Sequence, residues 1–205
     1  WGLVTSKMLQ TDRFPNFQDE VITFQNYPLA GSVYVYYFCK MVNRAESTQM
    51  LAQSYLILQL VMPLFAYAKK QNPVSFLCIV LFFDFLAVYN IPLTELLVDT
   101  LLPLAGAASL LFIHYHYLYE PPEKKTRYPL YYAVPLLCMT AQVKNSGLFF
   151  ALFSERLLLW VIWKNRSEQK KSVAAAVCIS PVVITWIWSR HCDYLFASAE
   201  ISKHA

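Results

Sequence analysis

The chain has 205 residues, of which 57% are hydrophobic and only 15% charged, and its formal net charge is +4. Soluble domains carry about a quarter charged residues. The charges here cluster between long apolar runs, a pattern typical of transmembrane helices joined by polar loops and unlike that of a soluble domain. Because the basic residues lie in membrane-flanking loops, the net charge does not indicate nucleic-acid binding.

The first 48 residues are predicted to form an outer loop with a juxtamembrane helix. Residues 1–10 could form a short amphipathic helix, and residues 11–26 are polar. Residues 29–42 are apolar and rich in tyrosine, but a spanning helix needs roughly 20 residues. We therefore predict that 29–42 is a helix lying in the membrane interface. A half-buried re-entrant helix is the alternative.

Six apolar runs follow, and they predict an all-α, polytopic transmembrane bundle of about six spans within 49–189. The predicted spans are 49–68, 74–89, 97–118, 128–143, 147–163 and 172–189. Residues 190–205 are interpreted as the start of a further outer loop.

The distribution of basic residues predicts the orientation of these spans. If residues 1–48 lie outside the cytoplasm, loops 69–73, 119–127 and 164–171 are cytoplasmic, and they hold nine Lys and Arg residues. The outer turns, 90–96 and 144–146, hold Lys144 alone. Cytoplasmic loops are enriched in Lys and Arg, so this orientation is favoured, in a multi-pass protein of the cell membrane.

Ionisable residues within or beside membrane spans are costly and are therefore candidate functional residues. Asp84 lies inside the second predicted span. Asp99 lies near the outer end of the third, and Glu95, four residues earlier, shares its helix face. Solvated helix ends, or an interior hydrogen bond for Asp84, are the structural alternatives.

Two further candidates are basic and lie on the outer side. The ammonium of Lys144 is predicted at headgroup level, where it suits an anionic lipid phosphate, although snorkelling to ordinary headgroups explains it equally well. His191, beside Arg190, is the second candidate. Glu155 and Arg156 are adjacent in mid-span and are expected to pair with other helices. The sequence has no metal-ligand motif and no Gly-rich phosphate loop, so we predict no resident cofactor, while leaving room for a divalent cation.

Several short motifs, in their order, resemble the GT-C superfamily of polytopic glycosyltransferases, particularly its bacterial members. They are Trp1-Gly2, Tyr27-Pro28-Leu29 before a juxtamembrane helix, Asp99 at the outer mouth of a span, and Lys144 in a Val-Lys-Asn-Ser-Gly context. The resemblance covers nearly the whole chain but rests on short motifs. It places the main catalytic carboxylate just upstream of Trp1, outside this sequence.

The resemblance implies a membrane enzyme that moves a sugar from a polyprenyl-phosphate carrier to an acceptor hydroxyl at the outer face, in the bacterial plasma membrane. Its partners are membrane lipid, the lipid-linked donor and a saccharide or other envelope acceptor. Lys144 and Arg190 would hold the phosphate, and His191 is a further candidate there. Asp99 would orient hydroxyls or help to place a cation, and Asp19 and Glu20 would wall the sugar site.

Two other functions remain open at this point. A transporter or flippase for lipid-linked saccharides would also use intramembrane ionisable residues such as Asp84 and Glu155, although no internal repeat is visible. A structural or assembly subunit is the third alternative, and the clustering of ionisable residues toward one membrane face argues against it.

Overall fold

The computed structural model describes residues 2–16, 19, 26–68, 73–88, 98–115, 130–164 and 171–196. Within these ranges the regular secondary structure is helical throughout, so the all-α part of the prediction is confirmed. A short 3₁₀ turn, Leu130–Tyr132, precedes α6. The helices are α1 (Gly2–Thr11), α2 (Ala30–Met41), α3 (Glu46–Ala68), α4 (Pro73–Val88), α5 (Val98–His114), α6 (Ala133–Ala141), α7 (Gly147–Lys164) and α8 (Lys171–Phe196).

Each of the six apolar runs corresponds to one helix, from α3 to α8, although α3 begins before its run and α8 ends after its run. Some of these helices contain a proline and continue past it, and α8 is an example. Pro181 has no N–H to donate to the carbonyl of Val177, four residues earlier. The hydroxyl of Ser180 donates to that carbonyl instead, at 2.7 Å. The backbone acceptor is therefore satisfied and the helix continues.

Leucine, isoleucine and valine side chains form the core clusters of this bundle together with small residues, and further large apolar side chains cover its outside. Ser109 and Thr140 join α5 to α6 through a buried hydroxyl contact of 2.9 Å. Small or hydroxyl-bearing residues buried between helices include Ala105, Ala108, Ser109, Thr140, Ala141, Ala151 and Ser154. Large apolar residues exposed on the outside include Met62, Phe65, Phe76, Leu77, Leu81, Phe149, Phe153, Trp160, Val183 and Trp186.

The helix α2 runs antiparallel to the first half of α3, outside the bundle proper. At its start, Gly31 lies against Leu101 near the beginning of α5. Further along, the Tyr34 hydroxyl bonds Gln59 at 3.2 Å, and the ring of Phe38 lies 6.1 Å from that of Tyr55. The first half of α3 therefore extends past the start of α5. The prediction placed all of 49–68 within the bundle, whereas in the structure the first half of this segment packs against α2.

We call residues 2–16, 19, 26–55 and 186–196 the cap. Its interior is apolar: Val4, Met8 and Leu29 pack with Trp188, while Leu9 packs in a second cluster with α2 and α3. Within the cap, the Trp188 indole N–H donates to the carbonyl of Asn26 at 3.1 Å and joins the end of α8 to the segment before α2. The Ala30 N–H donates to the carbonyl of Gln142, in the turn after α6, at 2.9 Å and ties the cap to the bundle.

The last helix is longer than its apolar run. It continues to Phe196, so residues 190–196 are helical and do not belong to the outer loop expected at 190–205. The reason is the cap: Trp188 and Cys192 are four residues apart, share one helix face, and both donate to the carbonyl of Asn26. A tertiary contact thus extends α8, and residues 197–205 lie outside the described ranges.

Candidate functional site

Two of the residues nominated from the sequence, 45 positions apart, form an ion pair where the cap meets the bundle. The Nζ of Lys144 lies 2.6 Å from Oδ1 of Asp99, and both side chains remain partly open to solvent. Asp99 lies in the first turn of α5, where the helix dipole favours a negative charge. The hydrogen bond to this carboxylate raises the pKa of the Lys144 ammonium, so the lysine stays protonated.

The backbone around Lys144 is held on three sides. The carbonyl of Gln142 accepts the Ala30 N–H, and its side-chain amide donates to Thr185 in α8 at 3.2 Å. The Gly147 N–H closes the turn on the carbonyl of Lys144 at 2.7 Å. A Cβ at Gly147 would lie 2.2 Å from the carbonyl oxygen of Thr140. Glycine is therefore required there, and the turn presents Lys144 from a fixed backbone.

The residues Arg190 and His191 lie on the last turns of α8, in the cap. Arg190 is exposed. The imidazole of His191 packs against the rings of Phe14, 5.5 Å away, and Trp188, 5.4 Å away. Its Nε2 is buried and has no hydrogen-bond partner within the described part of the chain. Neither residue forms a hydrogen bond or ion pair with Lys144 or Asp99 there, so the structure does not group them with that pair.

The candidate carboxylate Asp19 is held by contacts that stabilise the fold. It is buried, lies 3.1 Å from the ammonium of Lys7 and 3.6 Å from the guanidinium of Arg13, and accepts the Asn16 N–H. Burial by itself raises the pKa of Asp19, but that hydrogen bond and the two cations outweigh burial and lower the pKa below its ordinary value. Asp19 therefore holds the segment after α1, while Glu20 lies outside the described residues.

Acid should weaken this part of the cap. Because the pKa of Asp19 is lower in the folded protein, its stabilising effect is complete above the ordinary value of 3.8 and is lost as the pH falls through the folded value. We expect Asp19→Asn to reduce the loss of stability between pH 6 and pH 3 in fluorescence-monitored unfolding. Identical acid profiles for Asp19→Asn and wild type would contradict this assignment.

The remaining acidic candidates do not join the pair. Asp84 is exposed on α4, and Glu95 lies outside the described residues. Glu155 is buried in α7, and its Oε1 has no hydrogen-bond partner among the described residues, whereas its neighbour Arg156 is exposed. The two adjacent residues thus point in different directions, as helix geometry requires.

A further cluster lies around Asp12, within the polar segment 11–26, and no sequence pattern singles out this aspartate. Oδ1 of Asp12 accepts hydrogen bonds from the Lys40 ammonium at 2.5 Å and the Tyr36 hydroxyl at 3.0 Å. These hydrogen bonds, first that of Lys40, lower the pKa of Asp12. The available signal was the tyrosine-rich run of α2 ending in Lys40. Asp12 and Lys40 are 28 residues apart, and nothing in the sequence indicates that their side chains meet.

Among the described residues, no three His, Cys, Asp or Glu side chains are grouped so that they could hold a metal ion. In the same part of the chain, one helix is long and apolar enough to cross a membrane, Val173–Leu195 within α8, and Asp99–His114 is a shorter apolar helix. Searches against family models, curated proteins and solved structures found no match to this chain.

Proposed function

We propose that this chain belongs to a multi-pass membrane glycosyltransferase that moves a sugar from a polyprenyl-phosphate carrier to an acceptor hydroxyl at the outer membrane face. The observation that carries the proposal is the Asp99–Lys144 pair at the junction of cap and bundle. It offers a protonated lysine and a carboxylate side by side, on a fixed backbone, at the level where a lipid phosphate and a sugar would meet.

The surface of the bundle supports the membrane part of the proposal. Exposed apolar patches of this extent are rare on soluble monomers and mark membrane or protein contacts. Small residues buried between helices, with hydroxyl groups bonding across them, are typical of packing within lipid. The described parts of α3–α8 combine both features, and each coincides with one apolar run between charged loops.

The chemistry assigned to the pair follows from its charges. The acceptor oxygen attacks the anomeric carbon, the bond from that carbon to the phosphate oxygen breaks, and the lipid phosphate leaves with the electron pair. Lys144 would stabilise the negative charge on that phosphate. Once the phosphate binds Lys144, Asp99 is released to accept hydrogen bonds from sugar hydroxyls. The resemblance assigns the general base that takes the acceptor proton to the carboxylate expected upstream of Trp1.

One observation favours a second function, a transporter for lipid-linked saccharides. Glu155 is buried inside the described bundle with Oε1 unpartnered, and intramembrane carboxylates commonly mark transport pathways. Against this, Arg156 and Asp84, which would share such a pathway, are exposed. The enzyme therefore remains the better-supported function.

A double-label experiment distinguishes the two functions. The full-length protein, which contains this chain together with the segment upstream of Trp1, is reconstituted in liposomes with a polyprenyl-phosphate sugar that carries one radiolabel in the sugar and another in the lipid. A glycosyltransferase moves the sugar label to an added acceptor and leaves the lipid label in the membrane. A transporter carries both labels together to the opposite leaflet. Joint movement without transfer, or no movement with any donor of this class, would overturn the proposed function.

A further inference from the structure

The cap contains a cleft that is separate from the Asp99–Lys144 pair. It has a volume of about 220 Å³ and lies between α1, the residues that follow it and α2. Met8 and Val33 provide apolar contacts, and Phe14, Tyr36 and Tyr37 provide aromatic ones. Pockets for drug-sized ligands usually measure ~300–1,000 Å³, so this cleft suits one ring-sized group rather than a lipid chain or an extended oligomer.

The aromatic side chains of the cleft are accessible to a ligand. Tyr37 is 62% exposed and Phe14 40% exposed, although both are large apolar side chains. The rings of Tyr36 and Tyr37 stand edge to face at 5.3 Å. An aromatic face is electron-rich, and it therefore attracts the weakly positive C–H edge of a sugar ring that packs over it.

The cleft is lined by one acidic and one basic side chain. Asp12 and Arg13 line it together, one negative and one positive. An anion would meet the carboxylate of Asp12, and a cation would meet the guanidinium of Arg13. Oδ2 of Asp12 lies 3.8 Å from Arg44, beyond hydrogen-bond distance, so it keeps acceptor capacity for a hydroxyl group. The lining therefore suits a neutral ligand rich in hydroxyl groups.

We propose that this cleft binds one uncharged saccharide ring, with its C–H face on Tyr37 and Phe14 and its hydroxyl groups on Asp12 and Arg13. Its role as the subsite that holds the acceptor saccharide rests on the proposed function, whereas the binding itself does not. The cleft lies in the cap, outside the apolar bundle. That location suits an acceptor that arrives from the aqueous side, while the donor arrives from the lipid.

Saturation-transfer NMR on the 205-residue chain in detergent micelles, with a panel of uncharged methyl pyranosides, tests the binding. We expect transfer to at least one member, and a loss of affinity of about tenfold in Tyr37→Ala, the scale of one well-placed aromatic contact. The matched control is Tyr194→Ala, which removes a tyrosine that is 82% exposed elsewhere in the cap and should leave binding unchanged. Both positions are exposed, so neither change should impair folding.

Three results would overturn the proposal: no transfer to any pyranoside, equal affinities for wild type and Tyr37→Ala, or binding of phosphorylated sugars only. The two proposals also fail separately. Pyranoside binding without any glycosyl transfer by the full-length protein would refute the enzyme and leave the saccharide site in place. Transfer with an unchanged acceptor KM in Tyr37→Ala would refute the acceptor role and leave the enzyme in place.

Discussion

On the proposed function, replacing Lys144 by glutamine should lower sugar transfer about 10²- to 10³-fold, because it removes a cation that would stabilise the departing phosphate. The effect should fall mainly on kcat, since the charge on that phosphate increases as its bond to the sugar breaks. Lys144→Arg should retain a measurable part of the activity, because it keeps the charge but not the geometry. The measurement is transfer from a polyprenyl-phosphate sugar by the full-length protein in proteoliposomes, with membrane insertion checked in parallel.

The matched control for this prediction is Lys7→Gln. Lys7 has a similarly exposed side chain, 39% against 35% for Lys144, and it too pairs with an aspartate. Its partner, however, is Asp19 within the cap. Lys7→Gln should therefore weaken the cap and leave kcat within about threefold of wild type, a change under 1 kcal/mol in the barrier. Equal losses in the two variants would show that Lys144 acts only through stability.

Replacing Gly147 by alanine should destabilise the protein by about 3 kcal/mol, the upper part of the range for overpacking. The added Cβ would lie 2.2 Å from the carbonyl oxygen of Thr140 and 3.1 Å from that of Ala141. Both atoms belong to backbone, which cannot rotate away as a side chain can. The turn must therefore shift, and Lys144 must shift with it. Denaturant unfolding in detergent measures the first effect, and transfer activity measures the second.

A second glycine provides the comparison for Gly147→Ala. At Gly31 an added Cβ would meet only Cδ1 of Leu101, at 3.0 Å, the far end of a flexible side chain. In a helix, alanine is also favoured over glycine by ~1 kcal/mol. Gly31→Ala should therefore change stability by less than ~1 kcal/mol. A small effect at Gly147, or equal effects at the two positions, would contradict the account of the turn.

The sequence predicts the helices α3–α8 because each is an apolar run that ends in charge or in a polar turn. It predicts less well how far the helices are displaced along the bundle relative to one another. Residues 49–58 and the second half of the apolar run 49–68 belong to the same helix, and no local sequence signal separates the two halves. Only the packing of Gly31 on Leu101, and of Tyr34 on Gln59, shows that this half of α3 rises beside α2.

Sequence reasoning likewise identified only part of the candidate site. Their positions at the outer ends of two predicted spans were enough to nominate Asp99 and Lys144 separately, but their pairing depends on how α5 packs beside the turn after α6. Asp19 was nominated as a wall of the sugar site, yet Lys7 and Arg13 bury it in ion pairs. Asp12 was passed over because its partners Lys40 and Tyr36 lie on another helix.

The hydrogen bond from Trp188 to Asn26 has a consequence for the order of folding. Its two residues are 162 positions apart. A ribosome that has made α1 and α2 must still synthesise every helix of the bundle before Trp188 emerges. Until then the indole is missing from the apolar cluster of Val4, Met8 and Leu29. The segment of α1 and α2, although synthesised before the bundle, is therefore among the last to reach its final packing, and it must wait, incompletely buried, for the end of α8.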